Sequence, residues 1–300
     1  MKTIILFLSL CVALLAVEGY GFYADNDLSV TPKSIEKAFE DAGFMISDNR
    51  DMNGPYIIQF GESGFDVYNL FTLYHKTLTP KIALKHDRYG LFVPQSIVMY
   101  QKKGEKRFHI AFLSAEAIQK ITGIEDEPML QEIEKEMLSV LQSNFKTLQR
   151  GEFNTVISKP QGELITRYEI DTDETDWEQS KSETEMIFEG ELKPKGFTMA
   201  GFTDLKHEMN KLGTNDYNFY GTYSICKLKV IYTVAKTNPE AGVFAPCSLA
   251  VYMKKGSGKT VMEFPSIYNW ISSLNITDKE GIEELKIAQK AMEEILESLQ

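Results

Sequence analysis

Catalytic signatures are what this sequence has least of. There is no Gly-x-Ser-x-Gly, no His-Glu-x-x-His and no Cys-x-x-Cys-His, which removes the nucleophile elbow, the zinc-protease helix and covalent haem attachment. Cysteine is scarce, three in 300 residues and none in a Cys-x-x-Cys spacing, so a thioredoxin-like oxidoreductase has no support. The four histidines, His75, His86, His109 and His207, lack metal-ligand spacing and read as surface or capping residues. Basic residues are outnumbered, 32 Lys and Arg against 43 Asp and Glu, for a net charge of −11. That excludes the basic surface that nucleic acids and anionic membranes require. No cofactor or metal site is expected, and the expectation leans away from an enzyme.

One apparent motif fails on inspection. "GSGKT" at 256–260 resembles the end of a phosphate-binding loop, but the first glycine of that pattern falls on Met253. Such a loop also joins a strand to a helix, and this one lies between two apolar strand patterns. It reads as a hairpin turn.

Long apolar runs are confined to the first residues. Lys2 precedes an uncharged apolar stretch from Ile4 to Val17, followed by Gly19 and Gly21. This is the form of a secretory signal peptide, residues 1–21, and it predicts a periplasmic or secreted protein with no membrane span after cleavage. Cys11 sits mid-run behind Leu10, which does not fit a lipoprotein site. The whole chain is 43% hydrophobic and 25% charged, the profile of a folded domain or two.

The dominant feature is a repeat. "GLFVPQSIVMYQKKG" at 90–104 returns as "GVFAPCSLAVYMKKG" at 242–256, an offset of 152. Gly90, Phe92, Pro94, Ser96, Tyr100, Lys102, Lys103, Gly104 and Phe112 match their counterparts without a gap. At the same offset Tyr68 falls on Tyr220, Ala83 on Ala235, Ile118 on Trp270 and Ile124 on Ile276. The period is too long for a solenoid unit, so each copy is a domain, 22–150 and 151–300, with a linker across 149–161.

Each copy reads in one order. A strand comes first ("GFYADNDLS"; "ELITRYEID"). A helix follows, capped by Thr31 with Pro32 in its first turn and ended at Gly43, or opened by the acidic 171–179 stretch and ended at Gly196. Next are an alternating strand through Phe65–Leu73 or Tyr217–Ile225 and a short helix. The quoted segment is a strand apolar on both faces, with Val243, Ala245, Leu249 and Val251 on one side. A hairpin, a last strand and two helices close the copy. The final helix, 278–300, buries a stripe through Ile282, Leu285, Met292, Ile295 and Leu299. The fold class is therefore α+β: two tandem copies of a compact domain with helices packed on a small mixed sheet.

"Pro-Cys" entering an apolar strand, a glycine shortly before it and a second cysteine 21 positions upstream resemble the bacterial and archaeal domain of unknown function family 302 (DUF-302). Cys226 and Cys247 fit that family's spaced pair, and "KTNPEAGVFAPCSLAVY" is similar to its middle segment. In the first copy Tyr74 and Gln95 replace the pair, and Lys227-Leu228 stand where the family often has Asn-Pro. The resemblance implies an α+β domain that often associates in pairs, with tandem members known and no established reaction.

The candidate residues are Cys226, Cys247, Tyr220 and Lys227. Cys226 opens a helix beside Lys227 and Lys229, which predicts a favoured thiolate. Cys247 lies on an apolar face, where burial predicts an inert thiol. Tyr220 shares the strand face of Cys226 and offers one wall of a small apolar pocket. A disulfide requires the two strands to be neighbours in a suitable register. The first functional reading is a non-catalytic protein that binds a small ligand or a partner; the alternative is a thiol-based redox or metal-handling role for the second copy. The tandem arrangement predicts a monomer whose copies pack about an internal pseudo-two-fold.

Overall fold

The computed structural model describes residues 19–25, 31–125, 127–145, 147–151, 158–213 and 216–300. The proposed leader falls almost wholly outside these, as do residues 152–157 of the linker. Chain order in the first half is β1 (Gly19–Asp25), α1 (Pro32–Asp41), β2 (Phe44–Asp51), α2 (Asn53–Phe60), β3 (Phe65–His75), α3 (Leu78–Lys85), a 3-10 turn at Asp87–Phe92, β4 (Gln95–Lys102), β5 (Arg107–Leu113), α4 (Ala115–Thr122), α5 (Pro128–Asn144) and β6 (Gln149–Gly151). The second half runs β7 (Ile165–Asp171), α6 (Trp177–Leu192), β8 (Thr198–Asp204), α7 (Leu205–Asn210), β9 (Tyr217–Cys226), α8 (Leu228–Ala235), a 3-10 turn at Pro239–Phe244, β10 (Cys247–Lys254), β11 (Lys259–Pro265), α9 (Ile267–Ser273) and α10 (Lys279–Glu297).

The two sheets have the same strand order. The first is β2-β3-β4-β5-β1 with β6 added at its edge, and the second is β8-β9-β10-β11-β7. Every pairing is antiparallel. The α+β class holds, while the expected mixed sheet is corrected: each long connection returns a strand beside a neighbour of opposite direction. The quoted repeat also needs correction. Its strand begins only after Pro94 or Pro246, and the residues before it form 3-10 turns. Gly90, Leu91 and Phe92 are buried inside the turn, so their apolar character reflects burial, and periodicity cannot separate that from a strand.

Local chemistry explains the ends of several elements. Thr31 accepts the Ser34 amide at 3.2 Å while Ser34 Oγ accepts the Thr31 amide at 2.8 Å, a reciprocal cap with Pro32 in the first turn. The look-alike phosphate loop joins β10 to β11, as expected. Its amides are already occupied: Glu174 takes the Gly256 N–H at 2.8 Å and the Gly258 N–H at 3.2 Å. That gives part of the acidic stretch before α6 a structural role.

Each 3-10 turn docks on the other half's sheet, and the contacts are reciprocal at the offset of 152. Tyr68 donates its hydroxyl to Pro239 O at 2.9 Å. Its counterpart Tyr220 donates to Asp87 O and accepts the Gly90 amide at 3.0 Å. Tyr100 donates to Glu240 at 2.6 Å, and Tyr252 bonds Glu263 at 3.2 Å, which Arg88 reaches at 3.8 Å. The repeated glycines make this approach feasible. A Cβ on Gly90 would run into the Tyr220 ring, and one on Gly242 into Val98 and Leu70. One apolar core therefore runs through both halves, and a second fills the outer face of the second sheet against α6 and α10.

Candidate functional site

Cys226 ends β9 and Cys247 begins β10, and the two strands are neighbours. Their register pairs Cys247 with Ile225 and Tyr252 with Tyr220. Because side chains alternate, Cys247 shares a face with Ile225 and Leu249, while Cys226 shares the opposite face with Tyr220. Both thiols are free. The disulfide raised by the sequence is absent, and the one-residue offset in register is the physical reason.

The two thiols also differ from expectation in their acidity. Burial pushes Cys226 up to about 11, opposed only by the charge of Arg50. The expected help from the lysines does not arrive. Lys227 turns away, donating to Lys195 O at 2.9 Å with its ammonium 5.0 Å from the Phe197 ring. Lys229 is held by Glu284 at 2.5 Å. Desolvation thus outweighs the dipole of the eight-residue α8. Tyr56, fully buried on α2, brings its phenol into electrostatic reach of Cys226, and that hydroxyl has no hydrogen-bond partner among the described residues. Burial raises Cys247 to about 12, as its apolar strand face predicted, and its Sγ donates to Phe244 O at 3.4 Å. Neither thiol is a ready nucleophile at neutral pH.

Tyr220 stands apart from the cysteines' surroundings, as an anchor of the contact between halves. The other three candidates meet at one feature. Cys226, Lys227 and Cys247 border a cleft of about 60 Å³ between the end of the second sheet and helices α8, α9 and α10. Its walls include Phe197, Leu249, Phe264, Trp270, Leu285 and Met292. Gln289 also borders it, but its amide is spent on Thr166 and Glu293 and its oxygen on the Ile267 amide. Lys227 is the cleft's single charged side chain among the described residues, and burial lowers its pKa ahead of the opposing pull of Glu284. Sequence reasoning missed Phe197, Ala288 and Met292 as site residues. They come from β8's entry and from α10, far from the cysteines in the chain. No group of three or more metal-ligating His, Cys, Asp or Glu occurs among the described residues.

In the first half the matching place holds a histidine–carboxylate pair. His75, the counterpart of Lys227, accepts the Leu78 and Thr77 amides on Nδ1 at 3.0 and 3.2 Å. Its proton is therefore on Nε2, which lies 2.9 Å from Glu136 Oε2. The counterpart of Glu136 is Ala288.

Comparison with known proteins bears on the half that holds this cleft. Residues 174–299 match the family described as domain of unknown function DUF302. The DUF302 match begins at Glu174, which caps the β10–β11 turn, and takes in both cysteines and all the cleft helices. Among solved structures, the chain is similar to an uncharacterized conserved DUF302 protein from Bacillus stearothermophilus, at 20% identity and a TM-score of 0.39, covering 46% of this chain and 100% of that one. No curated protein matches the chain.

Proposed function

We propose that the chain is an exported, non-catalytic binding protein made of two DUF302-like copies, 22–150 and 151–300, whose second copy takes a small apolar ligand. The observation that carries this is the cleft beside Trp270. It is apolar on nearly every wall, partly open to the surface, and placed where sheet and helices meet; its small volume restricts the ligand to a few heavy atoms. Binding is favoured over thiol chemistry because no disulfide joins the two cysteines and burial keeps both protonated. The kinship of the first copy rests on the common strand order and on the reciprocal tyrosine contacts. Those contacts also support a monomer, since each half already supplies the other's partner surface. Export rests on the apolar run 4–17. The N-terminal mass of the exported protein tests cleavage near Gly19 to Gly21.

Ligand binding is tested with Trp177→Phe, which leaves Trp270 as the sole tryptophan. Hexanamide, a small neutral apolar probe, is expected to shift Trp270 fluorescence, and Ala288→Phe, which fills the cleft, is expected to abolish the shift. No response at millimolar probe, or a response indifferent to Ala288→Phe, would contradict the reading.

A further inference from the structure

The two halves allow the occupant of the cleft to be read by superposition on the chain's own repeat. His75 Nε2 lies 3.6 Å from where a Cβ on Gly43 would stand, and Lys227 Nζ lies 3.9 Å from the same point on Gly196. His75 packs on Phe44 at 5.1 Å between ring centres, and Lys227 on Phe197 at 5.0 Å. The polar ends of His75 and Lys227 thus occupy one place in the fold, over the same glycine-phenylalanine pair. In the first half a carboxylate on α5 faces that place, with Glu136 Oε2 2.9 Å from His75. In the second half α10 presents Ala288, which lines the cleft together with Lys227. The nitrogen remains and the carboxylate has been removed.

The geometry points to a small carboxylate with an apolar body as the ligand of the second half. Its carboxylate takes the position of the missing Glu136 counterpart beside Lys227, and its apolar body lies along Trp270, Met292 and the Cys247 wall. The inference rests on the binding role proposed above and adds the charge and orientation of the ligand. The surroundings are consistent with an anion. Among the described residues Lys227 makes one hydrogen bond, to Lys195 O, and an ammonium carries three N–H donors. The nearest opposing carboxylate, Glu284, is held by Lys229 at 2.5 Å. A half-buried ammonium without a carboxylate of its own gains most from an anion brought into the same desolvated place. An apolar amine or a neutral apolar molecule would leave that ammonium unmatched.

Calorimetric titration with hexanoate and with hexanamide, its neutral isostere, separates this inference from the reading beneath it. Hexanoate is expected to bind at least about tenfold more tightly than hexanamide. Lys227→Gln is expected to bring hexanoate down to the level at which the same variant binds hexanamide. Ala288→Glu, which supplies the counter-charge from within as the first half does, is expected to weaken hexanoate by a similar factor. The half-exposed setting of both positions and an unchanged circular dichroism spectrum guard against misfolding as the cause. Equal affinities for acid and amide, or a hexanoate preference that survives both substitutions, would overturn the anion assignment and leave the cleft reading standing. Binding of neither compound would overturn both.

Discussion

His75 faces Glu136 in the first half, and Lys227 faces Ala288 in the second. Around these positions the two halves keep the same strands in the same order, the same glycine and the same aromatic neighbour. The difference shows that one strand order can frame two different side-chain settings without new architecture. Where the first half pairs its nitrogen with Glu136, the second sets Lys227 in the wall of a cleft beside Ala288, with Glu284 held by Lys229. The cysteines, conspicuous in the sequence, both border that region, half-buried and protonated, and behave as small apolar residues.

The comparison can be broken first at the thiols. With Cys226 near 11 and Cys247 near 12, the thiolate fraction at pH 8 falls about a hundredfold or more below that of an unfolded thiol. Iodoacetamide labelling followed by mass spectrometry should therefore be slow in the folded protein and fast in denaturant. The folded-state pKa values lie above the unfolded one, so protonated thiols contribute stability that is fully present below about pH 9. That contribution is lost as pH rises toward 11–12. Rapid labelling of Cys226 at pH 8 in the folded state would restore the case for a reactive thiol.

The contact between halves comes next. Gly90→Val forces a side chain into the Tyr220 ring, and thermal unfolding should show a loss of about 3 kcal/mol, the upper range for overpacking. Tyr220→Phe and Tyr68→Phe should each lower stability by about 1–2 kcal/mol, since each leaves a buried backbone group unpaired. Similar losses from the two variants would sharpen the reciprocity, and a loss confined to one would break it. Glu136→Ala should cost about 1 kcal/mol by removing the acceptor of His75. The smallest effect is expected from Cys247→Gln. Gln95 already stands at that place in the first half, with its amide 3.2 Å from Leu113 O, so the change should stay within about 1 kcal/mol.

Much of this fold was legible from residues alone. The constant offset gave two equivalent units, Thr31-Pro32 marked the start of α1, and the Lys-Lys-Gly turns marked both hairpins. What escaped has physical reasons. β2 and β8 are edge strands with half-exposed, polar stretches such as "SDNRD", so they lack the alternation of a covered strand. α2 opens with Asn53, Gly54 and Pro55, residues that read as a turn. The low acidity of Cys226 was hidden because sequence order places Lys227 beside it, while the side chain reaches back to Lys195 O. The cleft was hidden differently. The exchanges of His75 for Lys227 and Glu136 for Ala288 are visible at the offset of 152, but only the fold brings the two positions together.

The most direct test of the central proposal, that the cleft of the second half takes a ligand, is hydrogen exchange followed by mass spectrometry with and without saturating hexanamide. The account expects slowed exchange in peptides from α8 and α10, with α3 and α5 unchanged. Equal protection of both helix pairs, or protection of neither, would contradict it.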